Sequence, residues 1–110
     1  VPRSGSGLPE YAELVLEVVD AIPPGRVLSY ADVAELVGRG GARQVGRVMA
    51  TYGSLTCWWR VMYADGSLPP GHEDRAAELL RAEGVPLRGG RVEMRRARWS
   101  GPATDGVTAT

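Results

Sequence analysis

Residues 22–49 read IPPGRVLSYADVAELVGRGGARQVGRVM, and the division of this stretch into elements decides the fold. Pro23, Pro24 and Gly25 cannot continue a helical hydrogen-bond ladder, so they end any helix that precedes them. Ser29 followed three residues later by Asp32 has the spacing of a capping box. Ser29 is then the N-cap, Tyr30 lies in the first turn, and Val33, Leu36 and Val37 are the expected buried positions. GRGG, residues 38–41, is the turn. A further helix is expected from Ala42 to about Tyr52, with Val45, Val48 and Met49 facing inward. Arg39, Arg43 and Arg47 recur every four residues on another side. Two short helices joined by a glycine-rich turn, the second carrying an arginine stripe, form the layout of a helix-turn-helix reader. A solvated charge stripe on an ordinary core helix has the same spacing, and the pattern alone leaves both readings open.

The flanks supply the rest of one domain. Residues 8–22 place Leu14, Val15, Val18, Val19 and Ile22 on one helical face, with Glu10, Glu13, Glu17 and Asp20 turned outward. TCWWRVMYADGSLP, residues 56–69, has aromatic and β-branched content that predicts a strand, followed by the turn signal Asp65-Gly66. Residues 73–83 form helix readily, with Ala76, Ala77, Leu79 and Leu80 available for packing and Gly84 as the stop. RVEMRRARW, residues 91–99, alternates Val92, Met94 and Trp99 with charge and reads as a short strand or wing. The start VPRSGSG, residues 1–7, reads as a protease-site remnant and linker, and residues 100–110 as a disordered tail. The expected fold is therefore mainly α with a small β element, a winged-helix-like helix-turn-helix domain spanning residues 8–99.

A chain of 110 residues has room for one modest core. With 44% apolar and 24% charged residues and no apolar run near the roughly 20 that a membrane helix needs, a membrane protein is not expected. The single cysteine cannot close an internal disulfide, so a reducing cytoplasmic setting is expected. Net charge is zero, but it is segregated. Residues 1–38 hold six acids and two arginines, whereas residues 39–63 hold four arginines and no acid. From residue 84 onward five arginines face two acids. A cationic middle and tail on a neutral chain suggests a local anion-binding face.

Catalytic machinery is sparse. One histidine and one cysteine, far apart in sequence, do not make a structural zinc site, and without lysine there is no phosphate-binding loop of the usual kind, so no metal or cofactor is expected. Cys57 and His72 form a conceivable nucleophile and base, although a buried, inert cysteine is the commoner case.

IPPGRVLSYADVAELVG, then ARQVGRVM, then a segment ending in Arg60-Val61, then LLRAEGV, resembles in order and spacing the DNA-binding C-terminal domain of the O6-alkylguanine-DNA alkyltransferases, from about Leu8 to Leu87. The active segment of that family reads Pro-Cys-His-Arg-Val, its cysteine accepting the alkyl group. Alignment on Arg60 and Val61 puts Cys57 at the proline position, Trp58 at the nucleophile position and Trp59 at the histidine position. An indole is no nucleophile at neutral pH. The resemblance therefore points to the alkyltransferase-like proteins, which bind the lesion without repairing it, although Trp59 departs from the histidine these usually keep.

By this resemblance the lesion pocket comprises Tyr30, Trp58, Trp59, Arg60, Val61 and Glu83. The DNA-binding residues are Ser29, Tyr30, Arg39, Gly41, Ala42, Arg43, Gln44, Gly46 and Arg47, with Arg43 as the finger entering the base stack and Tyr30 as the residue that helps rotate the nucleotide. The small residues would let the helix approach the minor groove, and Arg39 and Arg47 would reach phosphates. Pro69, Pro70 and Gly71 would form a lid, with His72 or Arg75 as its polar contact. The implied partners are duplex DNA containing O6-alkylguanine and proteins of nucleotide excision repair, bound by a monomer. An active methyltransferase using Cys57 and a non-specific DNA-binding domain remain the alternatives.

Overall fold

The computed structural model describes residues 7–102. The expected tag remnant and tail lie outside these residues except for Gly7 and residues 100–102. Helix α1 spans Glu10–Ala21, and strand β1 covers Leu28–Ser29. Helices α2, Tyr30–Val37, and α3, Ala42–Tyr52, follow. Two single 3₁₀ turns, Gly53–Leu55 and Trp58–Arg60, lead into β2, Val61–Met62. Helix α4, Glu73–Ala82, the hairpin of β3, Leu87–Arg88, and β4, Arg91–Val92, and the one-turn α5, Met94–Ala97, complete the order. The fold is mainly helical with small strands, as the sequence implied.

The capping box forms as its spacing dictates. Asp32 N donates to Ser29 Oγ and Ser29 N donates to Asp32 Oδ2, both at 3.0 Å. Two of the orphan donors at the start of α2 are thereby satisfied. Arg98 closes the arrangement from the far end of the chain, its Nη2 lying 2.5 Å from Asp32 Oδ1.

The extended segment before α2 joins the two halves. β1 pairs with β2 in parallel, Leu28 opposite Val61 and Ser29 opposite Met62. On the other side Val27 N donates to Ala97 O, and Trp99 N to Val27 O. Successive residues of an extended chain point to opposite faces. Leu28 and Val61 accordingly enter a core with Val15, Val19, Val33 and Val45 from α1, α2 and α3. Val27 and Met62 enter a second core with Leu68, Ala76, Leu80 and Val92.

Three sequence expectations change. Leu36 is 42% exposed rather than buried. The short α2 already fills its inner face with Tyr30, Val33 and Ala34. Residues 56–60 are not strand: Thr56 N donates to Gly53 O and Arg60 N to Cys57 O, coiling the chain so that only Val61–Met62 extends. Aromatic and β-branched content signalled partial burial there rather than extension. In residues 91–99 the strand ends at Val92 and α5 replaces the expected alternation. No helix among the described residues is long and apolar enough to cross a membrane.

Burial pushes the Asp32 carboxyl upward, but the hydrogen bonds from Arg98 and from the Ser29 backbone and side chain outweigh it and hold the group below its ordinary value. A carboxylate depressed in the folded state stabilises fully above its unfolded pKa, and that contribution is lost as pH falls through the folded one. Asp32→Asn should therefore cost about 1.5–3 kcal/mol at neutral pH. Urea melts of the variant and the parent should converge as the solution is acidified through the carboxylate range.

Candidate functional site

Helix α3 presents the charge. Gly41 is its N-cap, and Gly41 N donates to Gln44 Oε1 at 2.7 Å, which fixes Gln44 over the helix start. Ala42, Arg43, Gln44 and Arg47 are exposed along its outer face. Arg43 and Arg47 have no side-chain partner among the described residues. Arg39 differs, because its Nη2 lies 2.8 Å from Glu10 Oε1 and its backbone oxygen accepts from Tyr11 Oη. That exposed pair is worth at most about 1 kcal/mol, so a stronger anion displaces it readily. A Cβ built at Gly41 or Gly46 meets no protein atom within 4 Å. Packing inside the protein does not require glycine at either position.

A cavity of about 390 Å³ opens beside this helix. Gly46 and Met49 of α3 form one side, Trp58 and Tyr30 line it, and Pro69, Pro70 and His72 complete the rim. Pro69, Pro70 and His72 of the expected lid thus lie at the cavity, whereas Gly71 does not line it, and the His72 ring is 5.6 Å from that of Trp58. Arg75 pairs instead with Glu78 on the α4 surface. Met49, Gly53 and Ser54 line the cavity without having been singled out for it. The i, i+3 and i+7 spacing of Gly46, Met49 and Gly53 was the available signal, since these positions share one helical face.

Of the six expected pocket residues, only Tyr30 and Trp58 line the cavity. Val61 is fully buried in the first core. Trp59, Arg60 and Glu83 form a polar cluster behind the site. Glu83 Oε2 accepts from Trp59 Nε1 at 2.9 Å and from Arg60 Nη2 at 2.6 Å, while its Oε1 accepts from Gly25 N at 3.1 Å. Arg60 Nη1 also donates to Ile22 O at 2.9 Å. Burial raises the Glu83 carboxyl, yet the bonds from Arg60, Trp59 and Gly25 outweigh it and hold the group below its ordinary value. The Trp59 ring stands at 90° to Trp58 with centroids 5.9 Å apart, an edge-to-face contact that supports the cavity wall.

Two further groups bear on the chemistry. Burial, followed by the neighbouring Tyr63, pushes the Tyr30 hydroxyl to about 12, so it remains a protonated donor at neutral pH. Cys57 does not line the cavity. Its Sγ donates to Val19 O at 3.2 Å, and the side chain packs against the first core. Among the described residues no group of three or more His, Cys, Asp or Glu side chains is placed to hold a metal ion.

Residues 10–85 match the 6-O-methylguanine DNA methyltransferase DNA-binding domain. A DNA base-flipping protein of Escherichia coli strain K12 is 38% identical over 96 residues, which are 82% of this chain and 74% of that protein. A DNA base-flipping protein of Vibrio parahaemolyticus is 33% identical over 77% of this chain and 91% of its own length. Among solved structures, S. pombe Atl1 in complex with damaged DNA containing O6-carboxymethylguanine matches with a TM-score of 0.73 at 28% identity. That match covers 83% of this chain and 95% of Atl1.

The Arg60–Glu83 pair is largely buried, at 13% and 15% side-chain exposure. Removing one member of such a pair leaves an uncompensated buried charge. Glu83→Ala should therefore lower stability by about 3 kcal/mol, and Trp59→Phe, which deletes one hydrogen-bond donor, by about 1 kcal/mol. Thermal or urea melts measure both.

Proposed function

We propose that this chain, which belongs to the 6-O-methylguanine DNA methyltransferase DNA-binding-domain family, is a non-enzymatic sensor that extrudes O6-alkylguanine from duplex DNA and holds it against Trp58. The observation that carries the reading is the cavity itself. It lies between an arginine-bearing helix and an indole, and the only thiol of the chain faces away from it. The base-flipping relatives and the damaged-DNA complex of Atl1 support the same assignment.

A base inside a duplex cannot be inspected, so it must be swung out at a cost of a few kcal/mol, less where alkylation has weakened pairing. Stacking on an aromatic wall returns roughly 1–3 kcal/mol. The two terms nearly balance. A lesion that pairs poorly is therefore retained where an intact guanine is not, and this difference is the source of selectivity. Arg43, exposed near the start of α3, takes the place of the departed base, while Arg47 and, once released from Glu10, Arg39 hold phosphates. Tyr30 keeps its proton and can donate to the backbone of the rotated nucleotide. Gly41 and Gly46 leave open space where the groove would approach.

Transfer of the alkyl group is not part of this reading. In the alignment carried by Arg60-Val61, Trp58 stands in the acceptor position and offers no nucleophile. Trp59 stands in the relay position. Its indole nitrogen donates to Glu83 and has no lone pair with which to take a proton, so the hydrogen-bond chain ends there. Retained but unrepaired damage has to be handed on, and nucleotide excision repair is the route the family resemblance implies. Residues 8–99 would suffice for recognition.

A duplex carrying O6-methylguanine should bind at least tenfold more tightly than its unmodified twin in a fluorescence titration at moderate salt, and intact-mass measurement should show no added methyl. Equal affinities would sink the sensor reading, and a methyl on Cys57 would establish the transferase. Trp58→Ala should remove most of the preference for the lesion while leaving affinity for undamaged duplex within about twofold.

A further inference from the structure

The β3–β4 hairpin carries an arrangement that folding alone does not explain. Its strands pair Leu87 with Val92 and Arg88 with Arg91, so the two arginines sit directly opposite each other beside the turn. The turn is Gly89-Gly90 with φ of 60° and 82°, the left-handed values that a two-residue hairpin turn demands. Like charges directly opposite on one sheet face destabilise a hairpin. Leu87 and Val92 anchor this one against the second core, and its exposed end carries two arginines at facing positions. Arg88 has no side-chain partner among the described residues. Arg91 has a loose one, its Nη1 lying 3.7 Å from Asp65 Oδ2 with both groups exposed. The other acid nearby, Glu93, faces Arg96 at 3.8 Å.

The position of this tip is also specific. Val92 N donates to Gly66 O at 3.0 Å, and a Cβ at Gly66 would run into Val92 O, so the loop at residues 63–67 lies directly on β4. At the other end of that loop the exposed Tyr63 ring meets the Tyr30 ring with centroids 5.2 Å apart. Tyr30 lines the cavity. One path of contacts therefore runs from the cavity through Tyr63 and the loop to the paired arginines.

We propose that Arg88 and Arg91 form a phosphate clamp that grips the DNA backbone flanking the extruded nucleotide, a second backbone contact separate from α3. The inference rests on the sensor reading above for its ligand. Paired guanidinium groups match phosphate oxygens bidentately, and the regular spacing of backbone phosphates supplies the counter-charge that the hairpin lacks. Contacts of this kind add affinity and orientation without sequence or lesion information. The clamp strengthens binding to damaged and undamaged duplex equally.

The test is a salt titration of binding by the full chain to duplexes of about two helical turns, with and without O6-methylguanine, for the parent, Arg88→Ala/Arg91→Ala and Arg88→Lys/Arg91→Lys. The alanine pair should reduce the slope of log affinity against log salt by about two and weaken both duplexes by the same factor. The lysine pair should restore most of the slope. The melting temperature of the alanine pair should not fall, since relieving facing like charges removes a penalty. An unchanged slope in a folded alanine pair would overturn the clamp, as would a loss confined to the lesion-bearing duplex. Should the parent bind both duplexes equally, the sensor reading fails, while the slope on undamaged DNA still decides the clamp.

Discussion

Val27, Leu28 and Ser29 are hydrogen-bonded along both edges, and the rest of the structure depends on that pairing. Ala97 and Trp99 hold one side and Val61–Met62 the other. The alternation of an extended chain sends Leu28 and Val61 into the three-helix core and Val27 and Met62 into the core beneath α4 and the hairpin. A slip of one residue would exchange those faces and leave both cores wrongly filled. The same register places the site. Ser29 caps α2, so Tyr30 emerges where β1 ends. Trp58 to Arg60 immediately precede β2, so the indole is delivered opposite α3. The cavity follows from two short strands meeting in parallel.

Behind the cavity the polar side chains bond to one another. Glu83 accepts from Trp59, Arg60 and the backbone of Gly25, and Arg60 also reaches Ile22 O. A buried ion pair is tolerable only when further hydrogen bonds support it, and here all three guanidinium nitrogens of Arg60 donate while both carboxylate oxygens of Glu83 accept. The cluster joins α1, the loop after it, the Trp58–Arg60 turn and the end of α4. Its effect on the site is indirect: Trp59 is held by its nitrogen and in turn holds the edge of Trp58. The front of the site is the reverse, with Arg43 and Arg47 exposed and free of side-chain partners among the described residues. Polar groups that build the wall are paired within the chain, whereas these two arginines face outward.

Much of this was legible from local rules. The capping box of Ser29 and Asp32 required only its spacing, and α3 only its period and glycine-rich turn. The arginines at positions 39, 43 and 47 were visible as a stripe, although Arg39 proved to be engaged by Glu10 and Tyr11, twenty-nine and twenty-eight residues away. Leu36 misled because apolar spacing shows which face can be buried without showing how much of that face the neighbouring helices cover. Residues 56–60 misled because tryptophan content reports contact with a core, here only partial burial, whereas coiling or extension depended on the turn bonds from Gly53 onward.

Sequence by itself determined the four longer helices and the arginine-bearing face of α3, because each depends on residue identity and near-neighbour spacing. Tertiary structure alone decided that Cys57 turns to Val19, that Glu83 collects Trp59 and Arg60, and that Pro69, Pro70 and His72 meet Trp58 at one cavity. Those contacts join residues from distant parts of the chain. Their geometry is set by the parallel register at Leu28 and Val61, for which local periodicity carries no signal.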